Sequence, residues 1–323
     1  MNKIKRVIGD FFYDMSVKFS PKRKSNKKNT RKRQRRIFYI TIVALPILQF
    51  LVFYVGVNIN SIILAFQEYD LTTGQYSFAG FNNFSKFFGD LTSVTHLKAS
   101  IRNSFIVYFS GLILGTLPAL MFSFYIYKKS KFSNFFKMML FLPQILSSLA
   151  LVLMFKFFAE RALPEIWLLL FNQSVNINID FGLVLMYSIF SGFGTAILLY
   201  SSSMSGISQS MVEAAQIDGI TPFKEFTHIT LPQIYPMLVT FVVVGLAGIF
   251  VNQMNLFDFF GVDADYEMYN FGYYLYRTMK HHNTTIADYP YIAAIGLVLT
   301  AVTLPLTLIV KKFLEYIGPS TEK

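Results

Sequence analysis

The chain has 323 residues, 54% hydrophobic and only 15% charged, with a mean hydropathy of +0.46, well below the roughly one-quarter charged content of soluble domains. That balance excludes a soluble globular enzyme and points to a polytopic membrane protein, while the absence of cysteine excludes disulfides, thiolate metal sites and thiol catalysis. The net charge of +11 is concentrated in residues 1 to 36, which hold 14 of the 29 Lys and Arg; with no DNA- or RNA-binding motif beside it, this fits a topology signal and a partner for anionic membrane lipids, not nucleic acid.

Within that tail (1–36), Ile4, Val7, Ile8, Phe11, Phe12, Met15 and Phe19 recur at helical spacing among Lys3, Lys5, Arg6 and Lys18, predicting a helix in the membrane interface. A disordered basic tail is the alternative, and Pro21 to Arg36 has no apolar period. A six-span region follows over 37–318. Residues 37–66 contain no Asp, Glu, Lys, Arg or His, more than the approximately 20 residues a crossing needs and too long for a signal peptide's apolar region. Glu68 to Lys98 is polar. Span two is placed at 103–127, where Gly111 and Gly115 permit close helix contact, and span three at 138–155, with Pro143 inside it. Glu160 to Asp180 is predicted as an outer loop with Trp167 as an interfacial anchor, and span four covers 181–206.

Between spans four and five (233–257) lies a polar stretch, 208–232. Ser210 and Glu213 have capping-box spacing, predicting a helix start; Gly219 suits a left-handed stop, and Thr221-Pro222 a second N-cap and first helical residue. A tyrosine-rich outer loop (258–288) and span six (289–310), stopped by Lys311 and Lys312, lead to a short tail at 319–323. The tail, the 128–137 loop, the 208–232 loop and the C-terminus together hold 22 of the 29 basic residues, which places both termini in the cytoplasm.

Glu213, Ala214, Ala215, Gly219, Ile229, Leu231 and Pro232 match, position for position, the Glu-Ala-Ala, three residues, Gly, nine residues, Ile, one residue, Leu-Pro pattern, so the loop resembles the EAA motif of ABC importer permeases. Phe78 to Phe84 likewise resembles the segment after the first span of sugar-importer permeases. The resemblance implies an all-α, six-helix, type I ABC importer permease in a bacterial cytoplasmic membrane, of the first of two permease types. It would pair with a second permease, recruit two ATPase subunits that use ATP and Mg, and take solute from an extracytoplasmic binding protein. Glu213, Ala214, Ala215, Asp218, Gly219, Leu231 and Pro232 would couple to the ATPase subunits, the mechanism being alternating access.

The residues agree with a chain that does no covalent chemistry: there is no phosphate-binding Gly-rich loop with Lys, no His-Glu-x-x-His and no Gly-x-Ser-x-Gly, and His281-His282 has no ligand-spaced partner. Cofactors and metals are therefore not expected on this chain. Few ionisable groups fall within the spans, which disfavours an ion-coupled carrier and suits a neutral solute. Asn252, Gln253 and Asn255 of span five, with Ser191, Thr195 and Tyr200 of span four, are the candidate substrate path; Asn252 and Asn255, three apart, would share a helix face, which serves either a sugar or a subunit contact. A permease for another solute, and a channel or carrier outside the ABC class, remain alternatives.

Overall fold

The computed structural model describes residues 27–281 and 284–319, so the expected interfacial helix at 4–19 and His282 lie outside the described residues. Residues to Asn60 form one compact unit and Ser61 onward a second. Helix α1 (Lys32–Ala65) is long and apolar enough to cross a membrane and includes Pro46 and a wide π-helical turn at Phe50–Gly56.

The second unit begins with a hairpin, β1 (Gln67–Asp70) and β2 (Gln75–Phe78), and α2 (Asn82–Ser93). Asn83 donates to the carbonyls of Ala65 (3.1 Å) and Gln67 (2.7 Å), which gives the Phe78–Phe84 stretch a structural job: it ties α2 to the chain entering the hairpin. In the hairpin turn, hydrogen bonds from Thr72 and Thr73 push the Asp70 carboxyl down to about 2.

Then come α3 (Thr95–Tyr127), α4 (Ser133–Ile145), α5 (Ser148–Phe171), α6 (Phe181–Met204), α7 (Gln209–Ile217) and α8 (Pro222–Ala247). Two short helices, α9 (Leu256–Phe260) and α10 (Phe271–Lys280), precede α11 (Tyr289–Ile317). Five single helices among the described residues can cross a membrane, and the α4–α5 pair, bent by 105°, brings the number to six if it counts as one span.

Several expected boundaries are corrected. Span two starts a full two turns earlier, at Thr95, because Asn103 and Ser104 find partners in the segment from Glu267 to Phe271. Span three is two helices, with Pro143 opening the tight turn at the elbow, and the segment from Glu160 expected as loop is helical to Phe171. Span five ends at Ala247, not near 257, since Gly248 leaves the helix and Met254 and Asn255 adopt positive φ. Span six runs through Lys311 and Lys312 to Ile317.

The elbow is held by contact with α6. Gly194 lies under the Leu140 carbonyl, where a Cβ would collide with backbone, and Gln144 donates to the Ser191 carbonyl. Gly194→Ala is thus expected to cost about 1–3 kcal/mol, seen as a lower melting temperature of the detergent-purified protein, whereas Gly192→Ala, whose Cβ meets open space, should leave it unchanged.

Candidate functional site

The loop between α6 and α8 is closed by local backbone chemistry. After α7, Gly219 takes φ +71°, its N–H bonds the Gln216 carbonyl (3.1 Å), and the Ile220 N–H bonds the Ala215 carbonyl (3.1 Å). This Schellman closure explains why Gly stands four residues after the second alanine. Asp218 is the residue at which the helix ends. Thr221 Oγ1 then accepts from the Lys224 N–H (3.5 Å) and Pro222 opens α8, as the sequence predicts.

The helix start differs from expectation. Residue Ser208, not Ser210, precedes the first turn of α7; the two hydroxyls bond each other at 2.8 Å, no capping box forms, and Glu213 accepts from Gln209 (3.2 Å). Glu213 and Ala214 are exposed, Ala215 is half-buried, and Val212 is buried as the anchor of α7. Ile217 (87% exposed) and Phe223 (74%) present apolar side chains at the loop surface, an arrangement suited to a docking partner.

Leu231 and Pro232 lie inside one continuous helix and do not mark a break between the loop and span five. Proline removes a backbone donor, and the chain answers with a π-helical turn at Phe226–Thr230, in which the Leu231 N–H reaches the Phe226 carbonyl. The loop is therefore the end of the same rod that crosses the membrane.

That rod reaches a cavity of about 280 Å³ between α3, α6 and α8. On α6 the lining residues Ser188, Gly192, Ala196 and Tyr200 stand four apart and so form one ridge. On α3, Ser104, Tyr108, Gly111, Gly115 and Thr116 line it, partly from the π-helical turn Gly111–Thr116; α8 adds Phe241 and Gly245, and Asn252 follows beyond its end. Much of the space exists because side chains are missing: a Cβ at Gly111 or Gly192 would meet nothing within 4 Å, while Gly115 packs on Ile189 at 3.6 Å. The lining carries hydroxyls, an amide and aromatic rings but no Asp, Glu, Lys, Arg or His.

Of the predicted path residues, the structure brings only Tyr200 and Asn252 to this cavity. Ser191 and Thr195 sit one step off the lining ridge; Ser191 Oγ donates to its neighbour's carbonyl at Ser188 (3.0 Å), and Thr195 is exposed on another face. Gln253 is half-buried and its carbonyl accepts from Leu256. Asn252 and Asn255 share no helix face, because the helix has ended. Asn252 Oδ1 accepts from the Met254 N–H (2.8 Å), and Asn255 donates to Ser148 Oγ (3.0 Å) and Asp258 Oδ2 (3.1 Å), closing a triangle with the Ser148–Asp258 bond of 2.6 Å beside the elbow.

Two features escaped sequence reasoning. Asn103, buried in α3, donates to the carbonyls of Glu267 (2.7 Å) and Tyr269 (2.9 Å) and ties the tyrosine-rich segment to the membrane helix; burial pushes the Tyr269 hydroxyl up to about 12, so it stays protonated. Ser188 and Tyr108 were also missed, although their four-residue spacing from Gly192 and Leu112 was legible.

Comparison with known proteins gives this arrangement a family. Residues 111–323 match the binding-protein-dependent transport system inner membrane component family. The chain belongs to that family. It is 27% identical over 277 residues, 81% of this chain and 84% of the other, to the arabinooligosaccharides transport system permease protein AraP of Bacillus subtilis (strain 168). To the sn-glycerol-3-phosphate transport system permease protein UgpA of Shigella dysenteriae it is 28% identical over 187 residues, 56% of this chain and 62% of that protein, so this match spans less than two thirds of the relative's length. A bacterial ABC transporter that imports the acidic polysaccharide alginate contains a chain with the same fold: TM-score 0.71, 19% identity, 90% of this chain and 100% of that one. The permease thus has the multi-span fold of an ABC importer, predominantly helical but not all-α as expected, because the β1–β2 hairpin interrupts it.

In the permease, the cavity assignment separates Asn252 from Thr195. With no native cysteine in the chain, Asn252→Cys in membranes is expected to react with a water-soluble, membrane-impermeant thiol reagent, and Thr195→Cys to resist it; mass spectrometry of the labelled protein decides.

Proposed function

We propose that this permease is the translocating subunit of an ATP-driven importer for a neutral sugar or oligosaccharide. The observation that carries the reading is an uncharged, hydroxyl- and aromatic-lined cavity set between the two helices that flank the loop. Sugar hydroxyls need directional partners, and a sugar's C–H face packs on rings such as Tyr108, Tyr200 and Phe241. A phosphorylated or acidic solute such as those named for UgpA and the alginate transporter would call for a cation, and the cavity's lining offers none. The relationship to AraP supports the same choice.

Both termini and the α6–α8 loop face the cytoplasm in this reading, as the distribution of basic residues suggests. Two ATPase subunits, which hold the ATP and Mg, dock on α7 through Glu213, Ala214, Ala215 and Asp218 and the exposed Ile217 and Phe223. Gly219 keeps the angle between α7 and α8, and α8 carries the motion past Leu231 and Pro232 to the cavity, about 33 Å of helix from Phe223 to Gly245. A second permease supplies the opposite wall, and a solute-binding protein delivers the sugar from outside; one solved form of the alginate transporter holds a periplasmic protein bound to an alginate pentasaccharide. This chain's own work is to bind, enclose and release.

Reconstitution with ATPase and binding-protein subunits tests the proposal: ATP-dependent uptake competed by neutral oligosaccharides but not by sn-glycerol-3-phosphate is expected, and the opposite pattern refutes it. Gly192→Leu, at a position where an added Cβ meets nothing within 4 Å, puts side-chain volume into the cavity and gains helix propensity, so it should cut uptake about tenfold or more with no loss of melting temperature. Gly219→Val forces a β-branched side chain into positive φ, at a cost of about 1–3 kcal/mol; ATP hydrolysis uncoupled from uptake is the expected result.

A further inference from the structure

Glu225, in the first turn of α8, is only 3% exposed, a burial that a carboxylate does not tolerate without a partner. Lys128 is that partner, donating to both carboxylate oxygens at 2.9 and 3.0 Å. The lysine caps the C-terminal end of α3, where unpaired carbonyls favour a cation, and the glutamate lies where the first amides of α8 favour an anion. The joint is therefore made end to end, between helix termini whose own dipoles reinforce it. Phe124 and Phe226 pack beside it with 5.1 Å between ring centroids.

Both helices continue from this joint to the cavity. Between joint and cavity, Leu120 and Ile126 of α3 and Ile234 of α8 share one buried apolar cluster with Tyr200 and Met204 of α6. At the cavity itself Tyr108 of α3 donates to the Val242 carbonyl of α8 at 3.1 Å. The two helices are thus pinned to each other at both ends, once by charge and once by a hydroxyl.

We propose that Lys128 and Glu225 are a strut that makes α3 and α8 move as one body, so that displacement of the loop shifts two walls of the cavity together. The inference rests on the reading of the loop as the ATPase dock. Without the strut, the loop end of α8 loses its charged tie to α3, and a push at the loop is partly spent in bending α8 at the wide turn just beyond Glu225. Neither residue touches solute; both are positioning residues.

The absence of native cysteine allows a direct test. The Lys128→Cys/Glu225→Cys variant, reconstituted as the full complex in proteoliposomes, is compared with the parent for uptake of labelled arabinotriose per ATP hydrolysed. The unbridged variant is expected to assemble and to hydrolyse ATP but to lose about tenfold in uptake per ATP, within the range of a coupling free energy, and bridging the two thiols with a short bifunctional maleimide should restore most of it. Parent-level uptake per ATP without the bridge overturns the strut, as does loss of uptake on bridging, or reduced assembly with unchanged uptake per assembled complex. A parent chain that recruits no ATPase subunit overturns the reading of the loop instead, so the two failures are distinguishable.

Discussion

Backbone polarity in a medium without water governs this structure. Inside a membrane an unpaired N–H or C=O has no solvent to accept it, so every departure from the α-helix has to occur where another group takes over the lost bond. Several such departures have an identifiable substitute: a wider hydrogen-bonded turn where Pro232 removes a donor, the Asn252 side-chain oxygen beyond the end of α8 at Gly248 and, in the exposed loop, a Schellman pair at Gly219. The elbow after Ile145 is anchored on each side of the break, Gln144 donating to the Ser191 carbonyl of α6 and Ser148 to the Asp258 carboxylate of α9.

The cavity and the loop follow from those departures. A straight, fully packed bundle would have neither, because close packing leaves few voids. Glycines on three helices and a π-helical turn in α3 open a space near the middle of the bundle, while the unbroken course of α8 connects that space to the exposed loop. What moves the loop therefore moves a cavity wall, and the Lys128–Glu225 pair extends the connection to a second wall.

How much of this was legible depends on the range of the interactions. Gly219, Thr221 and Pro222 were readable because their roles depend on residues two to five positions away. The crossing helices were readable from composition. The capping box at Ser210 failed because Ser208, two residues earlier, competes for the same role and binds the Ser210 hydroxyl. The shared face of Asn252 and Asn255 failed because hydropathy carries past Gly248 while the helix does not. Nothing local announces that Gly194 leaves room for the Leu140 carbonyl, or that Lys128 meets Glu225; both depend on elements dozens of residues apart.

The wide turn in α8 also fixes an angular phase. One additional residue in a turn rotates everything beyond it by about 100° about the helix axis. Phe223 and Lys224 lie on one side of the turn at Phe226–Thr230, and Phe241 and Gly245 on the other. Straightening the turn into regular α-helix would leave the loop the same distance from the cavity to within a few ångström yet pointing a quarter-turn away. The Leu-Pro step therefore acts as an indexing element: it sets which azimuth of the rod meets a docking partner when Gly245 faces the cavity.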